Sequence, residues 1–142
     1  SPQNEGFIMM TTSQARKAIN DKIKAFTGLP QSKIQWSNQP KFTPPTIGVW
    51  SRVTIQYADS QQAGLNNGQC ERDFGIINIQ CFERKGAGDV ALTDLAEAWR
   101  EHFKGWTYQF IEVTQTNAPT ATIDELSTDF ISILVRVDFR VN

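Results

Sequence analysis

Histidine and cysteine are scarce in this chain of 142 residues, which has one histidine and two cysteines. A structural zinc site needs four such ligands, and neither a C-x-x-C pair nor a second histidine is present to complete one. His102 alone also gives little material for a Ser-His-Asp triad. Nothing in the spacing of Cys70 and Cys81 requires them to pair. We therefore expect no metal, no cofactor and a reducing, intracellular environment.

The sequence also lacks long apolar runs and net charge. No apolar run approaches the ~20 residues that a membrane helix needs, so we expect no membrane partner. A net charge of −1 argues against a protein that coats DNA. The length fits one domain. We expect residues 1–10 to be a disordered leader or tag remnant and residues 11–142 to form a single domain.

The two halves of the chain differ in charge although the total is near zero. Residues 1–57 hold seven basic and two acidic side chains, a local charge of +5, whereas residues 58–142 hold seven basic and thirteen acidic ones, a local charge of −6. One interpretation is that the fold intermixes these surfaces. The other is two oppositely charged faces, which are complementary in a head-to-tail contact between copies.

Two segments have the apolar spacing of amphipathic helices. The first begins near Thr12 and runs to about Phe26, and the second runs from about Asp89 to Lys104. Each places apolar side chains on one face at intervals of three or four residues. The predicted buried residues are Ala15, Ile19, Ile23 and Phe26 in the first helix, and Leu92, Leu95, Ala96, Trp99 and Phe103 in the second.

Alternating apolar and polar residues predict several strands. They fall at residues 34–36, 49–57, 72–83 and 108–114, and after a polar loop at residues 128–141. In the second strand the apolar side is expected to hold Val49, Val53, Ile55 and Tyr57, and the polar side Trp50, Arg52, Thr54 and Gln56. In the last strand one side is expected to hold Ile131, Ile133, Val135, Val137, Phe139 and Val141. The second and third are expected to pair as an antiparallel hairpin. The order of elements predicts an α+β fold, with a mostly antiparallel sheet, two helices packed on one face and a long extended hairpin loop.

The predicted hairpin loop is far longer than the usual 2–5 residues. It is rich in glutamine, asparagine and glycine, and Leu65 is its one sizeable apolar side chain. Such a loop is either a surface loop without a partner or a segment that a neighbouring subunit orders. The residues predicted to contact a neighbouring subunit are Asp59, Gln61, Gln62, Leu65, Asn66, Asn67, Gln69 and Arg72.

One segment has the pattern of a dinucleotide-binding turn. Residues 86–91 read G-x-G-x-x-A after a strand and before a helix, but Asp89 would put a carboxylate where a pyrophosphate needs bare amides. The favoured interpretation is a structural turn in which Gly86 and Gly88 permit unusual backbone angles and Asp89 caps the helix. A Cys81–His102 nucleophile pair and a nucleic-acid surface on the basic half are weaker alternatives.

An ordered set of short motifs runs through the middle of the chain. The motifs are Pro44-Pro45, Trp50-Ser51-Arg52-Val53, Gly64 and Gly68 in a polar loop, Arg72, Gly75, Ile79-Gln80-Cys81-Phe82, Gly86-Ala87-Gly88, Leu95-Ala96 and Phe103. In this order they resemble a known family, the tail-terminator (tail-completion) proteins of long-tailed bacteriophages. The resemblance covers about residues 10–110, and Arg84 departs from it where a proline is expected.

The resemblance implies a non-enzymatic assembly protein of the virion. It implies a ring of subunits, hexameric in such proteins, that caps the tail tube and ends its polymerisation. The implied partners are further copies of the chain, the tail tube protein and the head–tail connector, with genome DNA passing through the ring but no sequence-specific contact to it. The implied location is the head-proximal end of the tail, with assembly in the host cytoplasm. A tail tube or neck protein of similar fold is the alternative.

Overall fold

The computed structural model describes residues 12–36, 42–58, 73–86, 90–117, 120–122 and 130–141. Within them lie two α-helices, a single 3-10 turn at Gln31–Lys33 and seven strands, which largely follow the predicted order. In chain order they are α1 Thr12–Lys24, β1 Ile34–Trp36, β2 Trp50–Ala58, β3 Asp73–Arg84, α2 Val90–Phe103, β4 Thr107–Tyr108, β5 Ile111–Thr116, β6 Thr120–Thr122 and β7 Phe130–Val141.

Both helices form where the apolar spacing predicts them, and both predicted apolar faces are buried. Helix α1 ends at Lys24, slightly earlier than predicted, and a turn in which the Phe26 amide donates to the Ile23 carbonyl at 3.1 Å follows it. Helix α2 ends at Phe103, and Gly105 follows with φ of +69°. A positive φ after a helix is readily adopted by glycine, which has no Cβ to clash.

The seven strands form one mostly antiparallel sheet. Its order is β1-β2-β3-β7-β5-β4, and β6 pairs with β7 beside β5. The long strands β3 and β7 lie at the centre and pair over their whole length, from Asp73↔Val141 to Arg84↔Phe130. Only β1 is parallel to its neighbour, β2. The predicted β2–β3 hairpin pairing and the α+β fold class are confirmed.

The main core lies between the helices and one face of the sheet. Directly paired residues share a face, so Val53, Ile79 and Val135 form one row across three strands. All three are buried and belong to the same apolar cluster as the buried faces of α1 and α2. The Trp99 indole N–H of α2 donates to Ser51 Oγ of β2 at 3.0 Å, which fixes α2 on this face.

The opposite face of the sheet carries a second, aromatic cluster. Trp50 of β2 stacks on Phe82 of β3 with ring centroids 4.2 Å apart, and Phe130 of β7 meets both edge-on. The Arg52 guanidinium lies 5.2 Å from the Phe82 ring centroid, and that of Arg84 lies 4.9 Å from Phe130. The alternation in β2 placed Trp50 on the polar side of the strand. That side is instead buried at this end of the sheet.

Two strands differ from the prediction. The segment predicted as one strand at residues 108–114 is a tight hairpin, β4–β5, whose turn holds Gln109 at φ of +54°. The predicted polar loop before the last strand contains β6, which pairs with Leu134, Ile133 and Ser132 of β7. Neither β4 nor β6 has more than three residues, too few for alternation to be recognised.

Candidate assembly surfaces

The predicted subunit-contact loop, residues 59–71, and Arg72 after it lie outside the described residues, so the eight named residues remain a prediction. The structure describes the strands on either side of it. Tyr57 of β2 pairs with Gly75 of β3, and Ala58 pairs with Phe74. The Phe74 side chain is 48% exposed. The loop therefore leaves the sheet from the end of a regular antiparallel pair of strands.

Within the described residues, β1 covers only part of the outer edge of β2. β1 pairs only with Ser51, Arg52 and Val53, whereas β2 continues to Ala58. Among the described strands, none pairs with the outer edge of β2 beyond Val53. The backbone N–H and C=O groups on such an edge can pair with a strand of another chain.

A groove of about 450 Å³ lies between α1 and the β4 hairpin. One wall is the face of α1 that carries Gln14, Lys17, Asp21 and Lys22, and the other is formed by the aromatic side chains before and within β4. Trp106 and Tyr108 stack with their ring planes 11° apart. Tyr108 is 48% exposed, so the groove has an accessible aromatic side.

The two lysines of the groove differ in whether a described carboxylate pairs with them. Lys17 Nζ forms an ion pair with Asp21 Oδ2 at 3.0 Å across one helical turn. Lys22 has no carboxylate partner among the described residues, and its Nζ lies 5.6 Å from the Trp106 ring centroid. Burial lowers the pKa of Lys22 below its ordinary value, because desolvation disfavours the charged form. The groove thus holds Lys22, which no described carboxylate compensates, against Trp106, with Tyr108 also lining it.

His102 of α2 forms a hydrogen bond to the backbone of α1 at Lys22, a residue that lines the groove. Its Nε2 donates to the Lys22 carbonyl at 2.6 Å, a direction required because a carbonyl only accepts. Burial lowers the pKa of His102, while the hydrogen bond to Lys22 opposes the shift. Rings of Phe26 and Phe103 lie 5.3 Å from the imidazole centroid. This histidine is a packed structural residue between α1 and α2.

The catalytic alternatives find little geometric support. Cys81 is fully buried, its contact at 3.7 Å is with Ser51, and burial raises its thiol pKa to about 12. The strand before the G-x-G-x-x-A segment, β3, is antiparallel to both neighbours, whereas a dinucleotide-binding turn follows a parallel strand. Gly86 has φ of +90° in a turn, and Gly88 and Asp89 lie outside the described residues.

Two further features are absent from the part of the chain that the structure describes. No group of three or more His, Cys, Asp or Glu side chains there is arranged to hold a metal ion. No helix there has the length and apolarity needed to cross a membrane.

The groove was missed at the sequence level. Its aromatic wall depends on the β4 turn, which brings Tyr108 back beside Trp106, and a two-residue strand leaves no periodic signal. The only local signal was a cluster of aromatic residues after α2 (Trp106, Tyr108 and Phe110) in a region where little else is apolar. Such a cluster could have indicated a surface, but not its partner wall on α1.

The described residues form an α+β protein built around one mostly antiparallel sheet, with a strand edge that no described strand covers and a groove that holds a lysine and two aromatic rings. The family described as "Phage tail terminator protein" matches residues 14–134. The chain therefore belongs to the phage tail terminator family, which consists of structural proteins of the virion tail.

Structural comparison agrees with the fold at low sequence identity. One solved structure superposes with a TM-score of 0.67 at 16% identity, covering 94% of this chain and 96% of the other. At that identity the likeness shows the fold alone. Among curated proteins, none matches the sequence significantly.

Proposed function

We propose that this protein forms a ring, hexameric by resemblance, that caps the head-proximal end of the tail tube and ends its polymerisation. Family membership gives the tail role. The observation that carries the ring is the outer edge of β2 from Thr54 to Ala58, which no strand among the described residues covers. The N–H and C=O groups of such an edge can pair with a strand of a neighbouring subunit, and a repeated head-to-tail contact closes a ring when the rotation between subunits closes.

The segment that follows this edge supplies the second element of the contact. The fourteen residues 59–72 join β2 to β3 and contain no apolar side chain larger than Leu65. Such a segment cannot bury enough apolar surface to form a core of its own. We propose that it inserts into the neighbouring subunit, with Gln61, Gln62, Asn66 and Asn67 supplying hydrogen bonds.

The uneven charge of the chain favours a head-to-tail arrangement. If the +5 of residues 1–57 and the −6 of residues 58–142 form separate patches, a contact between identical patches is repulsive. The same charges attract when unlike patches of two copies meet.

In the assembled virion, the ring would meet the tube protein on one side and the connector on the other, with genome DNA passing through it. The subunits would be made and assembled in the host cytoplasm. Its role would be mechanical and not enzymatic, since termination requires only that the ring occupy the growing end of the tube.

Light scattering of the purified protein and electron microscopy of the protein mixed with tail tubes test the ring. The variant is a deletion of residues 61–68, and the matched control replaces the same residues with an equally long Gly/Ser segment. We expect both variants to keep the thermal unfolding of the domain and to lose rings. Rings formed by either variant would refute the role of this segment, and a strict monomer that leaves tube ends uncapped would refute the ring.

A further inference from the structure

The groove between α1 and β4 and the segment that joins β6 to β7 have complementary chemistry. The groove offers Lys22 beside the rings of Trp106 and Tyr108. Residues 123–129 read Ile-Asp-Glu-Leu-Ser-Thr-Asp, with three acidic side chains, no basic ones and two flanking aliphatic residues. An acidic segment with aliphatic neighbours suits a groove with one uncompensated cation and an aromatic wall.

The strand β7 places these two features at opposite ends of the sheet. β7 has twelve residues, and its eleven steps at ~3.3 Å separate Phe130 from Val141 by about 36 Å. Val141 pairs with Ile111, which pairs with Tyr108 beside the groove. At the other end, Thr122 pairs with Ser132, so both ends of the acidic segment are held near Phe130.

Chain length then excludes docking within one subunit. The segment between Thr122 and Phe130 has eight steps, and a loop tied at both ends reaches only half its contour, about 14 Å. The groove is more than twice as far away along β7. If the acidic segment enters a groove of this kind, the groove belongs to a second copy.

We propose that residues 123–129 of one subunit dock in the α1–β4 groove of the next, with Asp124 or Glu125 pairing with Lys22. The contact joins unlike surfaces of two copies and is therefore head-to-tail. It deepens the proposed ring and rests on it for its role in the virion. The aromatic rings of Trp106 and Tyr108 would pack on Ile123 or Leu126.

Lys22, and not Lys17, is the expected partner of the incoming carboxylate. Asp21 already neutralises Lys17 at 3.0 Å. Lys22 lies partly buried against Trp106 without a carboxylate among the described residues. An incoming carboxylate would compensate its desolvation.

Direct binding of a labelled peptide tests the contact. The probe is a fluorescein-labelled peptide of residues 121–130, and the receptor is the full chain with Asp124→Asn and Glu125→Gln, which prevents its own acidic segment from competing. We expect saturable binding by anisotropy, weakened at least about tenfold by Lys22→Glu, as for loss of a partly buried charge contact. Tyr108→Ser should weaken binding as well, and this exposed position carries little risk to folding.

Two matched controls isolate the charge. Lys24→Glu makes the same change on the same helix, two residues from Lys22, outside the groove, and should bind the peptide normally. A peptide with Asn and Gln in place of Asp124 and Glu125 should not bind. Absence of saturable binding, or binding that Lys22→Glu does not weaken, overturns the inference.

Charge reversal in the assembled protein separates this inference from the ring itself. Lys22→Glu and the pair Asp124→Lys/Glu125→Lys should each reduce ring formation, and the triple variant should restore it. Rings that form equally in all variants would overturn the docking contact while leaving the ring proposal intact. Groove-dependent peptide binding without any ring, alone or on tubes, would retain the contact and refute the ring.

Discussion

The phenyl ring of Phe139 on β7 lies over Gly75, its directly paired residue on β3. A Cβ atom at position 75 would overlap this ring and come within 2.8 Å of the Gln56 carbonyl oxygen. On the other side, Tyr57 pairs with Gly75 and meets Phe139 edge-on across it, with centroids 5.7 Å apart. The glycine thus provides the space in which two aromatic side chains meet above the central strand.

Gly75→Ala is expected to destabilise the protein by about 1–3 kcal/mol, the usual cost of overpacking a filled core. The backbone oxygen of Gln56 cannot move away without breaking the sheet, so relaxation must come from Phe139. Denaturant unfolding of Gly75→Ala, Phe139→Leu and the double variant measures this. In the Phe139→Leu background, Gly75→Ala should lower the free energy of unfolding by less than it does in the wild type. If the effects of the two substitutions are strictly additive, the proposed contact is contradicted.

The buried hydrogen bond from Trp99 to Ser51 predicts a second destabilisation. Both residues are fully buried, and Ser51→Ala would leave the indole N–H without its acceptor. The expected loss is about 1–3 kcal/mol in the free energy of unfolding. Trp99→Phe removes the donor, so Ser51→Ala should cost much less in that background. An equal cost in both backgrounds would show that the hydrogen bond contributes nothing.

Long periodic elements were predictable from the sequence, and their partners in space were only partly so. Ile19, Leu95 and Val137 recur at regular intervals along elements of twelve or more residues, and all three are buried as predicted. Short elements such as β4 and β6 depend on pairing with residues distant in sequence, which alternation within two or three residues cannot reveal. Trp50 was placed on the polar face because its strand neighbours Arg52 and Thr54 are polar.

The assembly surfaces were predictable in composition but not in geometry. The unusual length and polarity of residues 59–72 left two interpretations, a surface loop without a partner and a segment ordered by a neighbouring subunit, and the family match supports a tail role. The groove is formed by α1 and β4, which are more than eighty residues apart in the chain, and no local pattern joins Lys22 to Trp106. Lys22, the cation of the groove, belongs to residues 1–57, the part of the chain with a local charge of +5.

Mild acid is expected to destabilise the protein through His102. Burial lowers the pKa of His102 below its usual 6.5, so the folded state holds the imidazole neutral while the unfolded chain binds a proton. The contribution of this residue is complete above the unfolded pKa and is lost as the pH falls from about 6.5 toward the lower folded pKa. The positive charge of Lys22 also lowers this pKa and adds to the effect.

The measurement compares denaturant unfolding at about pH 7.5 and pH 5.5 for the wild type and His102→Gln. Glutamine keeps a side-chain N–H donor for the Lys22 carbonyl but does not titrate. The wild type should lose more stability on acidification than the variant does. Identical losses would mean that His102 does not carry the pH dependence in this range.

The Cys81 thiol is expected to be unreactive in the folded protein. It is fully buried, and burial raises its pKa to about 12, so almost no thiolate forms near neutral pH. In a Cys70→Ser variant, a thiol reagent at about pH 8 should react only after denaturant is added. Rapid reaction of the native variant would contradict the burial of this side chain.

The aromatic cluster on the outer face of the sheet should be a major source of stability. Trp50 is 3% exposed, stacked on Phe82 and in edge contact with Phe130. Trp50→Ala should cost about 3–5 kcal/mol, the usual range for removing a buried large aromatic side chain. Ile47→Ala, three residues earlier and 84% exposed, is the matched control and should change stability little. Equal midpoints for the two variants in denaturant unfolding would show that this face of the sheet is not a core, and that the helix-covered face alone holds the fold together.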